Sequence, residues 1–316
     1  SSAASDVYKR QVVEISTQPG NTNGNVDNAL QQQPVINLKD AYGNLVTSNT
    51  TVTAALVSGS GTLRGNSTTT ATGVATFTDL GYSKSGEAFS MKFTANGIES
   101  MTSDSITALN SGAVTNVGIA SGPSTITAGI ETAAYTATST DQYNNLVSDT
   151  YTWSVTSGTG TASLNTDKLT GQIVGTVTMK ATSNLNAAVS DSMTVTITPG
   201  AITTVNITGP TTIIAGVQTV SYTASSTDQY GNLVTDSYTW SVTPGTGTAQ
   251  LATDQLTGNL VGTVTMRATS DTNGIFKDMT VTVQPGVIHH FDISGISDGI
   301  AGATSTATVI ARDQYN

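Results

Sequence analysis

The sequence predicts an all-β protein built of tandem β-sandwiches, and three observations carry that prediction. A long stretch occurs twice, apolar residues alternate with polar ones at a period of two, and the composition favours strands and turns. DQYNNLVSDTYTW begins at Asp141 and DQYGNLVTDSYTW at Asp228, 87 residues apart, and Trp153 and Trp240 keep the same spacing. Across residues 141–180 and 228–267, thirty of forty positions are identical without a gap. A period of 87 residues is longer than a solenoid repeat and about the size of one complete sandwich.

Unit boundaries follow from a second echo. SGAVTNVGI at Ser111, PGAITTVNI at Pro199 and PGVIHHFDI at Pro285 each open a unit. The predicted units are 12–110, 111–198, 199–284 and the start of a fourth at 285–316. The first is a cousin of the others, with DAYGNLV at Asp40 in the matching place but no tryptophan. The opening SSAASDVYKRQ matches no later unit. Residues 1–11 are expected to be an adapter-derived scar of a metagenomic reading frame and are set aside. Because the chain breaks off in RDQYN, it is expected to be a window on a longer protein.

Within a unit each strand shows one apolar face. In TYTWSVT, Tyr151, Trp153 and Val155 point one way and Thr152, Ser154 and Thr156 the other. GTVTMKAT alternates likewise through Val177, Met179 and Ala181, and MTVTIT through Met193, Val195 and Ile197. One-sided burial of this kind suits antiparallel sheets. SGTG, NTDKLTG and TPG supply turn chemistry between the strands. No segment supports a long helix.

Composition narrows the function. Only 10% of residues are charged and 5% aromatic, against 37% hydrophobic and 31 glycines. That pattern is too regularly apolar for disorder. A net charge of −10 with only eleven scattered lysines and arginines argues against nucleic acid as a partner. No run of 18 apolar residues exists, so no membrane-spanning helix is expected. Cysteine is absent, which a sandwich of this size tolerates and which fits a secreted bacterial or archaeal surface protein.

With these motifs in place, the second and third units resemble the bacterial immunoglobulin-like domains of large surface proteins. The likeness lies in the YTWSV strand, the GTVTMKATS strand and the D-Q-Y-x-N-L-V turn. The first unit resembles a related type through QPGNTNGN, QQPVINLKDAYGNLV, GSGTLRG and GVATFTDL. The resemblance implies tandem immunoglobulin-like β-sandwiches arranged end to end, as in intimin- and invasin-like adhesin stalks and surface-layer proteins. It also implies an extracellular, cell-surface setting.

Each candidate site residue also has a structural role that would explain it. In DQYGN, Asp228 is expected to accept amides two or three residues on, while Gly231, or Asn144 in the other copy, takes the left-handed turn position. The rival reading is an interdomain calcium site drawing oxygens from Asp141, Asn144 and Asp149, although no D-x-D-x-D run or bidentate glutamate accompanies them. The plain turn is favoured. Trp153 and Trp240 are expected in the core rather than in a sugar-binding cleft, so that truncation would cost about 3–5 kcal/mol. His289 and His290 stand where the other units have Thr203-Thr204 and Thr115-Asn116, which disfavours a metal role. Sequons at Asn49, Asn66 and Asn206 matter only in a glycosylating host. With two histidines and no cysteine, no nucleophile–base set can be assembled in the second or third unit. No catalytic, cofactor-binding or metal residues are therefore assigned, and the protein is not expected to be an enzyme.

The resulting expectation is a passive stalk of a bacterial cell-surface adhesin. Its partners would be neighbouring immunoglobulin-like domains of the same longer chain, with a host or surface glycan or protein met by a distal domain outside this sequence. Short linkers, with the next strand starting about three residues after Thr198, would limit bending. Three complete units would then span on the order of 100 Å. The alternatives are a surface-layer lattice protein and an accessory module of a secreted polysaccharide-degrading enzyme.

Overall fold

The computed structural model describes residues 11–132, 134–216, 219–296, 301–302, 304 and 306–314. The expected scar at residues 1–11 lies outside these except for Gln11. Among the described residues every regular element is a strand. The chain is all-β, and among the described residues no sheet mixes strands from two of the sequence repeats.

Two compact units emerge from the Cα framework. One comprises Ser1–Gly122, Tyr135–Ser154 and Met179–Met193, the other Pro123–Ala134, Val155–Thr178 and Thr194–Asn316. The division runs through the strands Tyr151–Ser157, Gly175–Ser183 and Ser190–Thr198 rather than at the linkers.

In the first unit, residues 12–99 form two main sheets. Val12–Thr17, Val35–Lys39 and Val74–Thr76 pair in that order. The facing sheet runs Ser67–Thr69, Thr51–Ser58, Ser90–Ala95 and Ile98–Glu99. Ile36 and Leu38 from one sheet and Val52, Ala54, Met91 and Phe93 from the other are fully buried together, as period-two strands require. Aromatic rings fill this core. Phe77 tilts against Phe93 at 5.4 Å between centroids, and Tyr82 stacks on Phe89 at 3.9 Å.

The second unit holds the third repeat complete. One sheet orders Thr212–Ile214, Phe276–Gln284, Gly262–Ser270 and Tyr238–Pro244, a second Thr204–Thr208, Thr223–Thr227 and Leu233–Val234, and a third Thr219–Ser221, Gln255–Leu260 and Thr248–Ala252. Val264, Met266, Ala268, Val281 and Val283 are buried, which matches the alternation seen in sequence. Pairing is not wholly antiparallel. Thr212–Ile214 runs parallel to residues 282–284, and Thr125–Thr127 likewise to residues 196–198. Short polar segments give no hint of direction, because a parallel and an antiparallel edge bury the same residues.

The aromatic centre differs from expectation. Trp153 and Trp240 lie on the inward face, as predicted, but are only partly buried. Trp240 packs where two core clusters meet, one around Met266 and one around Ala268. In the second and third repeats the fully buried rings are Tyr135 and Tyr222, each 1% exposed and also 87 residues apart. A Cβ on Gly209 would lie 2.2 Å from the Tyr222 ring, and one on Gly122 1.9 Å from that of Tyr135. The glycine makes room for the ring.

Candidate functional site

The repeated DQYxN stretch follows the strand Thr136–Thr140 in one copy and Thr223–Thr227 in the other. Each copy builds the same turn around one carboxylate. Asp141 Oδ1 accepts the amides of Tyr143 (2.9 Å) and Asn145 (3.0 Å), and Asp228 Oδ1 those of Tyr230 (2.9 Å) and Asn232 (3.0 Å). The amides of Asp141 and Asp228 close the loop onto the carbonyls of Asn145 and Asn232, both at 3.0 Å. Asn144 and Gly231 take the left-handed position at φ 62° and 81°, as the sequence requires. The amides bound are those two and four residues on, not two and three, because the loop closes over five residues.

The second carboxylate oxygen reaches the linker. Asp141 Oδ2 accepts the Gly112 amide at 2.8 Å, Asp228 Oδ2 that of Gly200 at 2.8 Å, and Asp313 Oδ2 that of Gly286 at 2.9 Å. Each linker is thus held by the turn of the repeat that it opens. Glycine is needed there, since a Cβ on Gly200 would meet the Ala128 carbonyl at 2.5 Å. The linker is longer than expected, residues 199–203 separating Thr198 from the strand at Thr204. Its slack is taken up by these bonds and by the Thr203 amide on Thr227 O (2.9 Å).

The turn's last residue reaches the preceding repeat. Asn145 Nδ2 donates to Ser83 O (2.8 Å) while the Ser85 amide donates to Asn145 Oδ1 (3.1 Å). Asn232 does the same with Gln172 O (2.7 Å) and the Val174 amide (2.9 Å). A side-chain amide here imitates a strand partner, binding the carbonyl of one residue and the N–H of the residue two further on. Asn145 and Asn232 are 2% and 7% exposed. Asp27 reinforces the first joint, accepting the Ala113 amide (2.7 Å) and Gln142 Nε2 (2.8 Å). Tyr143 packs on the first repeat's core beneath the Arg64 guanidinium, 5.0 Å from its ring centroid.

Burial acts to raise the pKa of Asp228, but the hydrogen bonds from the Asn232 side chain and the Gly200 and Tyr230 amides outweigh it and hold it below the usual carboxylate value. Asp141 is lowered in the same way, burial being outweighed by Gly112, Asn145 and Tyr143. Both carboxylates are ionised and saturated at neutral pH.

The residues weighed for calcium are not brought together. Asp141 serves the turn, Asn144 is its left-handed residue, and Asp149 belongs to another network, accepting Ser139 Oγ (2.8 Å) and Ser183 Oγ (2.5 Å). Among the described residues no three histidine, aspartate or glutamate side chains gather as a metal site. His289 and His290 have ring centroids 5.7 Å apart, and His290 Nε2 lies 3.6 Å from Asp292 Oδ1. Asn49, Asn66 and Asn206 are exposed. Sequence reasoning found the aspartates but missed Asn145 and Asn232. The available signal was their identity in both copies while the residue before them changes from asparagine to glycine.

No protein-family model and no curated protein matches the chain. Among solved structures it is similar to FdeC, an Escherichia coli adhesin, at 16% identity and a TM-score of 0.41, over 87% of this chain and 96% of that one. It is similar to invasin, a bacterial integrin-binding protein, at 18% identity and 0.40, over 95% of this chain and 63% of that one. Cadherin domains 3–6 of protocadherin gammaB7 give 13% identity and 0.46, over 87% and 75%. At these identities each is a likeness of fold.

Proposed function

We propose that the chain is a non-catalytic stretch of a bacterial cell-surface adhesin stalk, with sandwich domains at 12–110, 111–198 and 199–284 and a fourth opening at 285. The observation that carries this reading is the joint, built from the same residue types at Asp141–Asn145 and at Asp228–Asn232. A loose tether needs no such contacts. Buried, directional hydrogen bonds at each linker fix how one domain follows the next. Such a segment holds its neighbours at a set spacing and does no chemistry itself. A distal domain of the longer protein would meet the ligand outside the cell.

Small-angle scattering tests the reading. Residues 12–284 should give a maximum dimension on the order of 100 Å, unchanged with concentration. Growth of the particle with concentration would favour the surface-layer alternative. A particle only half as long would defeat the stalk.

A further inference from the structure

The first repeat carries the same turn with nothing from a neighbouring repeat on it among the described residues. Asp40 Oδ1 accepts the amides of Tyr42 and Asn44, both at 2.9 Å, and the Asp40 amide donates to Asn44 O at 2.9 Å. Gly43 takes the left-handed position at φ 87°. The turn itself therefore matches those at Asp141 and Asp228 bond for bond.

What differs is its surroundings. In all three copies the asparagine side-chain amide donates to its own aspartate, Asn44 to Asp40 Oδ2 at 3.2 Å and Asn145 and Asn232 to Asp141 and Asp228 Oδ2 at 2.9 Å, but Asn44 is exposed. Its counterparts Asn145 and Asn232 are buried against the backbone of a preceding repeat. Tyr42 is 79% exposed, whereas Tyr143 at the matching place lies against a hydrophobic core under an arginine. Closing a turn requires no aromatic ring. In the occupied copies the asparagine bonds the neighbour both times, and the tyrosine packs on it at Tyr143 while Tyr230 stays 37% exposed.

We propose that the Asp40–Asn44 turn is the receiving half of a further joint. Its occupant is another β-sandwich repeat of this kind, placed ahead of Val12. That repeat would offer a backbone carbonyl and an N–H two residues apart, as Ser83 and Ser85 and again Gln172 and Val174 do. Asn44 would bridge them while keeping its bond to Asp40, as Asn145 and Asn232 do, Tyr42 would be partly covered, and Asp40 Oδ2 would also accept the linker amide. The inference rests on the reading of the two observed joints as interdomain locks.

The test fuses a copy of residues 111–203 directly before Val12 in the full chain. The copied Gly200 then stands four residues ahead of the first strand, as Gly112 does before Asn116. Hydrogen exchange of residues 40–46 should slow by about tenfold relative to the chain without the copy. Asn44→Ala should speed exchange more in the fused chain than in the chain without the copy, where the side chain serves only Asp40. Asn145→Ala and Asn232→Ala serve as controls and should speed exchange in their own turns. If residues 40–46 exchange equally fast with and without the added repeat while both controls respond, the inference falls and the joint reading stands. If neither control responds, the joint reading falls and the inference with it.

Discussion

The strand Thr223–Thr227 has a different kind of buried residue at each end. Before it, Tyr222 is 1% exposed, its ring against Gly209 and its hydroxyl on Pro210 O at 2.7 Å. After it, Asp228 is 3% exposed and its carboxylate is taken up by the turn and the linker. Burial alone does not tell these sites apart, but energetics does. A buried ring gains transfer free energy and packing that no solvent contact replaces. A buried carboxylate exchanges hydration for hydrogen bonds, and the net gain per bond is only about 1 kcal/mol. The tyrosine end stabilises a domain, while the aspartate end orients it.

The sharpest way to break this comparison is to remove the ring. Tyr222→Ala should destabilise the third repeat by about 3–5 kcal/mol. In denaturant titration this should appear as an early transition that leaves the second repeat folded. A cost equal to that of Asp228→Ala would erase the distinction.

Trp240 sharpens the comparison at intermediate size. It sits where two core clusters meet but remains partly exposed. Trp240→Ala should therefore cost roughly 2 kcal/mol, below the range for a fully enclosed ring. Fluorescence separates the two tryptophans if each is removed in turn. A loss larger than that of Tyr222→Ala would make the tryptophan, not the tyrosine, the centre of the core.

These two aromatics also show what was legible in the sequence. Period-two alternation puts Trp240 on the inner face, and the structure agrees, because side-chain direction follows from the backbone pleat. How deep a ring sits depends on what faces it across the sandwich, and alternation carries no such information. Tyr222 is flanked by valine, serine and threonine in a stretch with no distinctive pattern, and the Gly209 that admits it is thirteen residues earlier. The joint was half legible for a similar reason. Asp228 acts within its own loop, so local turn chemistry reveals it. Asn232 acts on Gln172, sixty residues away, and only three-dimensional packing brings them together.

The smallest expected effect is a pH dependence confined to the polar end. Asp141 and Asp228 are held below the ordinary aspartate value of 3.8, since the hydrogen bonds they accept outweigh the opposing effect of burial. A carboxylate with a depressed folded pKa binds protons more readily when unfolded. Its contribution is thus fully present above the unfolded value and is lost as pH falls through the lower folded one. Asp149 and Asp236 are lowered too, so acid weakens several networks in the same window, and total stability will not isolate the joint. The difference between wild type and Asp228→Asn does isolate it. Asparagine leaves the other networks intact but cannot offer two charged acceptor oxygens to the turn and linker. The stability gap between the two proteins should be constant from pH 7 to about 4 and then shrink toward pH 2 as Asp228 itself becomes neutral. A gap that persists undiminished in acid would mean that shape rather than charge holds the linker, and the orienting role of the carboxylate would have to be given up.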